Sequence, residues 1–296
     1  MKKSLRIAIS LFSLGFQLKL LFGFFIHKLR FTPRFLFAPH FLLCNKYVAL
    51  IEAGVELEKY QTGIVLAKWT VNGRQLSFLL RQFSSDIQVF ETVILEGEYE
   101  VAAQHLQNNL NAPQFIIDAG ANVGFTTLYL HAYFPNTQFA LVEPDQHNFS
   151  VLKKNLSINK ISKAALFQGA LWTKHEQLSL TNDFRDGKDW SLSVKPVESA
   201  ATDEWLVDGF TLQDIIDKLG ANQIDLLKMD IEGAERFLYN NEQFLQSLNQ
   251  KVHACVLEIH DEFNIRPLIN QEMDKGGYQL FKSPKVDLFA RTSKAS

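Results

Sequence analysis

Two pairs of ionisable residues have the spacing expected of a catalytic site. Asp230 and Glu232 are two positions apart, and so are Glu258 and His260. Side chains at a period of two lie on one face of an extended strand. A histidine or an aspartate in such a group can take a proton from an acceptor hydroxyl. Asp230 and Glu258 can instead bind Mg²⁺, which prefers oxygen ligands and acidifies a bound hydroxyl. The spacing leaves the histidine base, the aspartate base and the metal open.

A second constellation combines a glycine-containing turn with an acidic residue. Residues 118–124 read Asp-Ala-Gly-Ala-Asn-Val-Gly after an apolar run, and Glu143 ends the next run, 19 residues after Gly124. Glycines permit a tight turn close to a ligand, and an acid at the end of the second strand can accept both ribose hydroxyls. The turn and the acid predict a nucleoside-containing cofactor. Because the dinucleotide pattern Gly-x-Gly-x-x-Gly is absent, a nucleotide-dependent oxidoreductase is disfavoured.

Short apolar runs alternate with amphipathic segments around these residues. Such alternation predicts a doubly wound, mostly parallel α/β sheet with helices on both faces. Upstream, Asn72-Gly73 lies between two runs and predicts a β-hairpin. The predicted strands are 115–119, 138–142, 164–168, 225–229, 252–259, 278–282 and 286–291, with shorter strands at 178–180 and 192–194. The predicted helices are 123–133, 147–159, 212–219, 234–248 and 267–275.

Composition and charge limit the class of protein. The chain has 296 residues, 47% of them hydrophobic and 21% charged, which excludes a disordered chain and predicts a large core. Two cysteines, Cys44 and Cys255, exclude a disulfide framework or a cysteine-rich zinc site and indicate a reducing compartment. Residues 1–51 carry eight basic and no acidic side chains, so the remainder has a net charge of −10. An acidic body argues against nucleic-acid binding.

The N-terminal arm is basic and rich in phenylalanine. Residues 7–26 are mostly apolar with one charge, Lys19, and this length just suffices to cross a bilayer. Lys19, Arg30 and Arg34 among apolar residues favour instead a helix on an anionic membrane surface. Helices packed on the body are a third alternative. We expect residues 1–45 to contact the inner, cytoplasmic face of the membrane.

Three segments resemble the FkbM-type methyltransferases, a family dependent on S-adenosylmethionine (SAM). They are residues 118–124, Val142-Glu143-Pro144 and, most specifically, residues 227–235, Leu-Lys-Met-Asp-Ile-Glu-Gly-Ala-Glu. Residues 81–86 and Glu98-Tyr99 resemble segments that precede the family's fold, and the likeness covers roughly 75–290. The resemblance implies a class I methyltransferase (Rossmann-like) sheet of seven strands, the last antiparallel. It also implies SAM as cofactor and O-methylation of a hydroxyl on a sugar, glycolipid or natural product.

The resemblance also implies roles for individual residues. The amino-acid end of SAM would be held by residues of the turn, Asp118, Gly120, Asn122 and Gly124. Glu143 would take the ribose, Ala170 and Leu171 would lie near adenine, and Asp86 and Tyr99 would close over the cofactor or acceptor. The fourth and fifth strands are neighbours in such a sheet, so Asp230, Glu232, Glu258 and His260 would converge above it.

These inferences predict three regions. Residues 1–60 form the basic arm, residues 61–112 a hairpin and helices covering the cofactor site, and residues 113–296 the SAM-binding domain. The acceptor would be a small molecule or a glycan. A membrane-tethered protein that binds SAM without catalysis remains the alternative to an enzyme.

Overall fold

The chain forms two compact units, Met1–Glu91 and Thr92–Ser296. The structure, a computed structural model, describes residues 2–20, 38–110, 112–181, 193–196 and 205–291. The sequence predicted divisions after residues 60 and 112, whereas the single division follows Glu91. The hairpin belongs with the arm because the strand before it packs on both arm helices.

The first unit combines helices with an antiparallel sheet. Within its described residues the sheet has three strands in the order β1-β2-β3. Val71 pairs with Arg74 across Asn72 and Gly73, whose φ angles are 46° and 72°, so the predicted hairpin is present. The strand β1, which precedes it, was not predicted. The elements are α1 (Lys3–Ser10), α2 (Ala38–Glu52), β1 (Glu56–Gln61), β2 (Ile64–Val71), β3 (Arg74–Arg81) and α3 (Asp86–Phe90).

The described part of the arm packs within its own unit. Ser4 donates a hydrogen bond to Glu52 at 3.0 Å, which joins α1 to the end of α2. Phe12 and Tyr47 are fully buried, with ring centroids 5.8 Å apart. Among the residues described, no helix is long and apolar enough to cross a membrane. Residues 21–26, the end of the apolar run, lie outside them.

The second unit is a doubly wound α/β fold, as predicted. Its sheet has the order β12-β13-β11-β10-β4-β5-β6-β9-β7-β8, with helices in the crossovers. The strands are β4 (Phe115–Ala119), β5 (Gln138–Glu143), β6 (Ala164–Leu171), β7 (Gln177–Thr181), β8 (Ser193–Pro196), β9 (Trp205–Phe210), β10 (Ile224–Met229), β11 (Val252–Leu257), β12 (Gln279–Lys282) and β13 (Asp287–Ala290). The helices are a π-helical turn (Glu91–Leu95), α4 (Glu100–Asn109), α5 (Phe125–Tyr133), α6 (Gln146–Ile158), α7 (Leu212–Leu219), α8 (Glu235–Leu238), α9 (Glu242–Lys251), a 3₁₀ turn (Asp261–Phe263) and α10 (Arg266–Lys275).

The sheet is larger than the seven strands that were expected. Seven strands lie side by side in the order β12-β13-β11-β10-β4-β5-β6, and β13 runs antiparallel to both of its neighbours, β11 and β12. Three more extend the sheet beyond β6, giving ten among the described residues: β9 is parallel to β6, β7 is antiparallel to β9, and β8 is antiparallel to β7. These strands are short, and β9 exposes Trp205 and Leu206. They therefore lack the apolar runs by which the central strands were recognised.

The central strands end at one level. Met229 of β10 pairs with Ala119 of β4 and with Leu257 of β11, and Ala119 in turn pairs with Val142 of β5. These residues are buried and belong to the main core. The next residues therefore begin at the same carboxyl edge of the sheet; they are Gly120, Asp230, Glu258 and Glu143.

Gly120 is where two of these strand ends approach most closely. It has a φ of 73°, and a Cβ atom at this position would overlap with the carbonyl oxygen of Asp230. A side chain would therefore force the end of β10 away from the end of β4. Glycine is needed here for two reasons, the left-handed conformation and the missing side chain.

We expect Gly120→Ala to lower the free energy of unfolding by about 2–5 kcal/mol, because the cost of a left-handed alanine adds to that of overpacking. Gly220 is a matched control, since its φ is 63° and a Cβ atom there meets nothing. Gly220→Ala should lower the free energy of unfolding by only about 1–2 kcal/mol. Urea denaturation measures both losses, and equal losses would show that Gly120 and Asp230 do not press on each other.

Candidate active site

Asp118 lies at the end of β4, and both of its carboxylate oxygens contact other side chains of the protein. Its carboxylate is fully buried and accepts a hydrogen bond from Thr127 Oγ1 at 2.6 Å. Its other oxygen lies 3.3 Å from Nζ of Lys228. Asp118 thus anchors the turn and a buried cation at this edge.

Lys228 is a residue of the site that the sequence interpretation missed. Its side chain is 2% exposed, and Nζ donates a hydrogen bond to the carbonyl of Gly120 at 2.6 Å. Nζ also lies 3.7 Å from Asp230 and above the ring of Tyr99. Burial lowers the pKa of Lys228, but the charges of Asp118 and Asp230 outweigh it, so the pKa lies above the usual value. A lysine inside the apolar run 224–229 was the signal that could have identified it.

The rest of the turn presents Asn122 and begins a helix at Gly124. Asn122 has a φ of 49°, and its backbone N–H donates to Glu143 at 2.8 Å. Its side-chain Oδ1 is buried and has no hydrogen-bond partner among the described residues. Gly124, with a φ of 86°, is the N-cap of α5. The turn therefore offers an unsatisfied acceptor at the sheet edge.

Glu143 is held in a fixed orientation at the end of β5. Besides the bond from Asn122, it accepts one from the backbone N–H of Asp145 at 2.9 Å. Burial raises the pKa of Glu143 to about 7, although these backbone hydrogen bonds oppose the rise. A carboxylate has about four acceptor positions, so capacity remains for a ribose hydroxyl.

Ala170 and Leu171 do not act as a pair. Neighbouring residues of a strand point to opposite faces, and Leu171 belongs to the main core whereas Ala170 packs in a smaller cluster with Trp172 and Ala234. At most one of them can therefore face a given ligand. Gln168, which pairs with Glu143, marks the level of the cofactor edge on β6.

Asp86 and Tyr99 lie in different units. Asp86 is fully buried in the first unit, where it accepts hydrogen bonds from the guanidinium and the backbone N–H of Arg81. Tyr99 is buried in the second unit, with its ring against Lys228. The observed contacts of Asp86 thus stabilise its own unit, and its predicted role over the cofactor remains a prediction.

Asp230 is the most accessible carboxylate of the catalytic candidates. Its side chain is 27% exposed, and Oδ1 has no hydrogen-bond partner in the described part of the chain. Its charge, followed by burial, raises the pKa of Glu258 to about 8. Burial and the same charge raise the pKa of Glu98 to about 7. At neutral pH, Glu258 therefore retains its proton and Glu98 is partly protonated.

His260 is enclosed by two carboxylates. It is fully buried; Nε2 lies 3.2 Å from Glu232, and Nδ1 lies 3.1 Å from Glu235. Burial lowers the pKa of His260, but hydrogen bonds to Glu232 and Glu235 raise it, for a net value of about 11. The imidazole keeps its proton at neutral pH. Glu235, fully buried, was quoted only as part of the family motif, and its role was missed.

One group of potential metal ligands occurs among the described residues. Ligand atoms of Asp230, Glu232 and His260 lie within 4.8 Å of one another. Glu258, which the sequence offered as the partner of Asp230, does not belong to this group. The imidazolium already neutralises part of the negative charge that a metal ion would balance.

The edge fits SAM on the chemistry of its side chains. The buried Oδ1 of Asn122 needs a donor, and the fixed carboxylate of Glu143 can accept a ribose hydroxyl. Four carboxylates outnumber the two buried cations, Lys228 and His260, which suits a ligand with positive ammonium and sulfonium groups; they are Asp118, Asp230, Glu232 and Glu235. A doubly wound sheet with β13 antiparallel, a glycine turn after β4 and an acid ending β5 define a class I methyltransferase.

Residues 118–280, more than half of the chain, match the methyltransferase FkbM domain family, and the chain belongs to this family. The matched region is thus a SAM-dependent methyltransferase domain. Methyltransferase 1 of Beauveria bassiana is 29% identical over 137 residues, 41% of this chain and 55% of that protein. Methyltransferase sdnD of Sordaria araneosa is 25% identical over 223 residues, 65% of this chain and 82% of that protein. The chain therefore spans about half the length of the first relative.

Solved methyltransferase structures are also similar. The N-terminal domain of human METTL16 in complex with SAH has a TM-score of 0.37 and 15% identity, over 66% of this chain and 68% of that chain. Precorrin-6y C5,15-methyltransferase from Geobacter metallireducens has a TM-score of 0.38 and 10% identity, over 65% of this chain and 89% of that chain.

We expect Glu143→Gln to weaken SAM binding by about 1–3 kcal/mol, because an amide cannot accept hydrogen bonds on both of its atoms. Titration calorimetry with SAM measures the loss. Asp274→Asn, which neutralises an exposed acid of α10, is the control and should bind SAM like the native protein. If the affinity of Glu143→Gln for SAM is unchanged, Glu143 does not contact the cofactor.

Proposed function

We propose that this protein transfers the methyl group of SAM to a hydroxyl oxygen of a sugar, glycolipid or natural product. When bound, SAM supplies an electrophilic methyl group on a sulfonium. The observation that supports an oxygen acceptor is that Oδ1 of Asp230, a buried atom at the carboxyl edge of the sheet, has no hydrogen-bond partner among the described residues. A hydroxyl that donates to this atom satisfies it and loses its proton to it during methyl transfer.

The neighbours of Asp230 support its role as the base. Lys228 approaches its other oxygen at 3.7 Å and orients the carboxylate. Glu258, with its raised pKa, retains its proton at neutral pH and adds no competing negative charge. In the reaction, the bond from the acceptor oxygen to the methyl carbon forms as the sulfur–carbon bond breaks, and the hydroxyl proton moves to Asp230.

His260 takes a positioning role in this proposal rather than that of the base. Both of its nitrogens face carboxylates, and its pKa of about 11 leaves no lone pair at neutral pH. The imidazolium holds Glu232 and Glu235 next to the end of β10. Removing it would leave the buried Glu235 without its counter-ion, which typically costs about 3–5 kcal/mol.

We expect Asp230→Asn to reduce turnover by about 10²–10⁴-fold, the usual contribution of a general base. Affinity for SAM should change little, since Asn122 and Glu143 hold the cofactor in this proposal. Methyl transfer from radiolabelled SAM to an identified acceptor measures the rate, with Asp274→Asn as control. Native turnover in Asp230→Asn would show that proximity alone carries the reaction.

The same assay separates the proposed base from a metal mechanism. With Asp230 as the base, EDTA leaves the rate unchanged. If Mg²⁺ were bound by Asp230 with Glu258, or with Glu232 and His260, EDTA would abolish turnover and added Mg²⁺ or Mn²⁺ would restore it. A protein that binds SAM and methylates no hydroxyl compound would support the alternative without catalysis.

We expect turnover to rise between about pH 7 and pH 9, because Glu258 loses its proton in this range, at a pKa of about 8. The new negative charge beside the Asp230 carboxylate favours transfer of the hydroxyl proton to this edge of the sheet. Glu258→Gln fixes the neutral state and should remove this inflection, whereas Glu98→Gln should retain it. A pH–rate profile of the native enzyme without an inflection would show that the charge of Glu258 does not affect turnover.

We also propose that residues 1–45 associate with an anionic membrane surface facing the cytoplasm. In the first unit, Leu14 and Leu18 are 72% and 60% exposed, and Leu42 and Phe83 are exposed as well. Leu14 and Leu18 are four residues apart in a helical segment and so share a face. Exposed apolar side chains in a region with eight basic and no acidic residues suit anionic lipid headgroups.

We expect the protein to sediment with vesicles containing phosphatidylserine and to sediment less with neutral vesicles. Leu14→Ser combined with Leu18→Ser should reduce binding, because both leucines leave the lipid interface. Leu166→Ser, at a partly exposed leucine of the second unit, is the control. If the native and the doubly substituted protein sediment equally with anionic vesicles, Leu14 and Leu18 do not contact lipid, which favours helices that only pack within the protein.

A further inference from the structure

A cavity of about 590 Å³ opens beside the loop that follows β6. Trp172, in its floor, packs in one cluster with Ala170, Ala234 and Ile231, and Ile231 directly follows Asp230 in the chain. The cavity therefore adjoins the segment that carries the proposed base. The residues that line it are Trp172, Thr173, Lys174, Glu176, Arg236, Phe237, Asn240 and Asn241.

Arg236 is held in this cavity by aromatic rings. Its guanidinium lies 4.7 Å from the ring centre of Phe237 and 4.1 Å from that of Phe263. Within the described ranges, no carboxylate forms an ion pair with it. Aromatic faces attract a guanidinium but leave its N–H donors in the ring plane available. The guanidinium is thus oriented and lacks an anion.

The acid in the cavity is already neutralised. One oxygen of Glu176 accepts a hydrogen bond from Nε1 of Trp172 at 2.8 Å, and the other lies 3.1 Å from Nζ of Lys174. With Glu176 paired in this way, Arg236 gives the lining a net positive charge. This contrasts with the excess of carboxylates around Asp230.

The aromatic support of Arg236 depends on Gly233. A Cβ atom at position 233 would overlap with the ring of Phe263, so the ring reaches its place only because residue 233 is glycine. Phe263 in turn lies against Arg236. The residues that follow Asp230 in the family motif thus also fix the direction of this cation.

We propose that Arg236 binds an anionic group, a carboxylate or a phosphate, of the methyl acceptor. A guanidinium matches both groups through two parallel N–H donors. Trp172 and Phe237 supply apolar surface, Asn240 and Asn241 supply amide groups, and the volume is typical of small-molecule sites. The acceptor class is therefore an anionic sugar or a similar polyhydroxyl acid. This assignment of an acceptor rests on the proposed function, whereas binding of the anion does not.

The opposite charges of the two regions explain how the acceptor is oriented. Its anionic group is repelled by the carboxylates around Asp230 and attracted by Arg236. A neutral hydroxyl elsewhere on the same molecule can then approach the free oxygen of Asp230. Charge thus selects which end of the acceptor reaches the base.

The first experiment uses three probes and the full-length protein. Glucuronate, glucose 6-phosphate and glucose are titrated in the presence of S-adenosylhomocysteine, and binding is followed by saturation-transfer NMR. We expect glucuronate, glucose 6-phosphate or both to bind more tightly than glucose, and the better of them identifies the carboxylate or the phosphate. Failure of both anions to bind, or equal binding of glucose, would overturn the proposal.

The second experiment tests Arg236 itself. Arg236→Gln should weaken binding of the anionic probe by about 10- to 100-fold, as expected for a lost hydrogen bond between charged groups. Arg236→Lys keeps the charge but loses the paired donors, so its loss should be intermediate. Lys218→Gln, which removes an exposed cation of α7, is the control. Native affinity in Arg236→Gln would overturn the assignment.

Thermal melts verify that the variants remain folded, and the weaker perturbation in Arg236→Lys provides a result even if Arg236→Gln is unstable. The binding data are independent of turnover. If the anions bind through Arg236 but no hydroxyl compound is methylated, the anion site stands and the proposed O-methylation fails. If methylation proceeds equally on neutral and anionic acceptors, O-methylation stands and the anion site fails.

Discussion

The arrangement at the carboxyl edge depends on one buried cation, Lys228. Its ammonium joins the ends of β4 and β10 through Asp118, the carbonyl of Gly120 and Asp230. A buried ammonium is tolerated only with counter-ions and acceptors nearby, and loss of one partner from such a pair typically costs about 3–5 kcal/mol. The glycine turn after β4 and the carboxylate of Asp230 are therefore fixed by the same cation.

A second buried cation, His260, lies next to the loop that follows β10. Protonated His260 contacts both Glu232 and Glu235, and Gly233, which lies between them in the chain, is next to the ring of Phe263. The two buried cations stabilise different segments. Lys228 joins the ends of β4 and β10, and His260 holds the loop that follows β10. Carboxylates that would repel one another are thereby held at one edge of the sheet.

The sequence predicted the central fold well, because strands buried on both faces are apolar runs that alternate with helices. Of the three strands at the far edge, it predicted β7 and, with a shifted boundary, β8, but it missed β9, because short edge strands have mixed polarity. Within the site, residues with a local signature, such as Asp118 and Glu143, lie at the strand ends as expected. Long-range partners were missed: nothing near Glu235 in the chain indicates a histidine 25 residues away. The resemblance likewise grouped Ala170 with Leu171, although a strand turns them to opposite faces.

The enclosure of His260 also constrains how this chain can change over generations. A neutral residue at position 260 would leave two carboxylates facing each other in a region that excludes water. Replacement of Glu235 alone would leave a buried imidazole with half of its support. Substitutions at positions 232, 235 and 260 are therefore tolerated mainly in combination, so the three positions should drift as a linked set among descendants of this sequence.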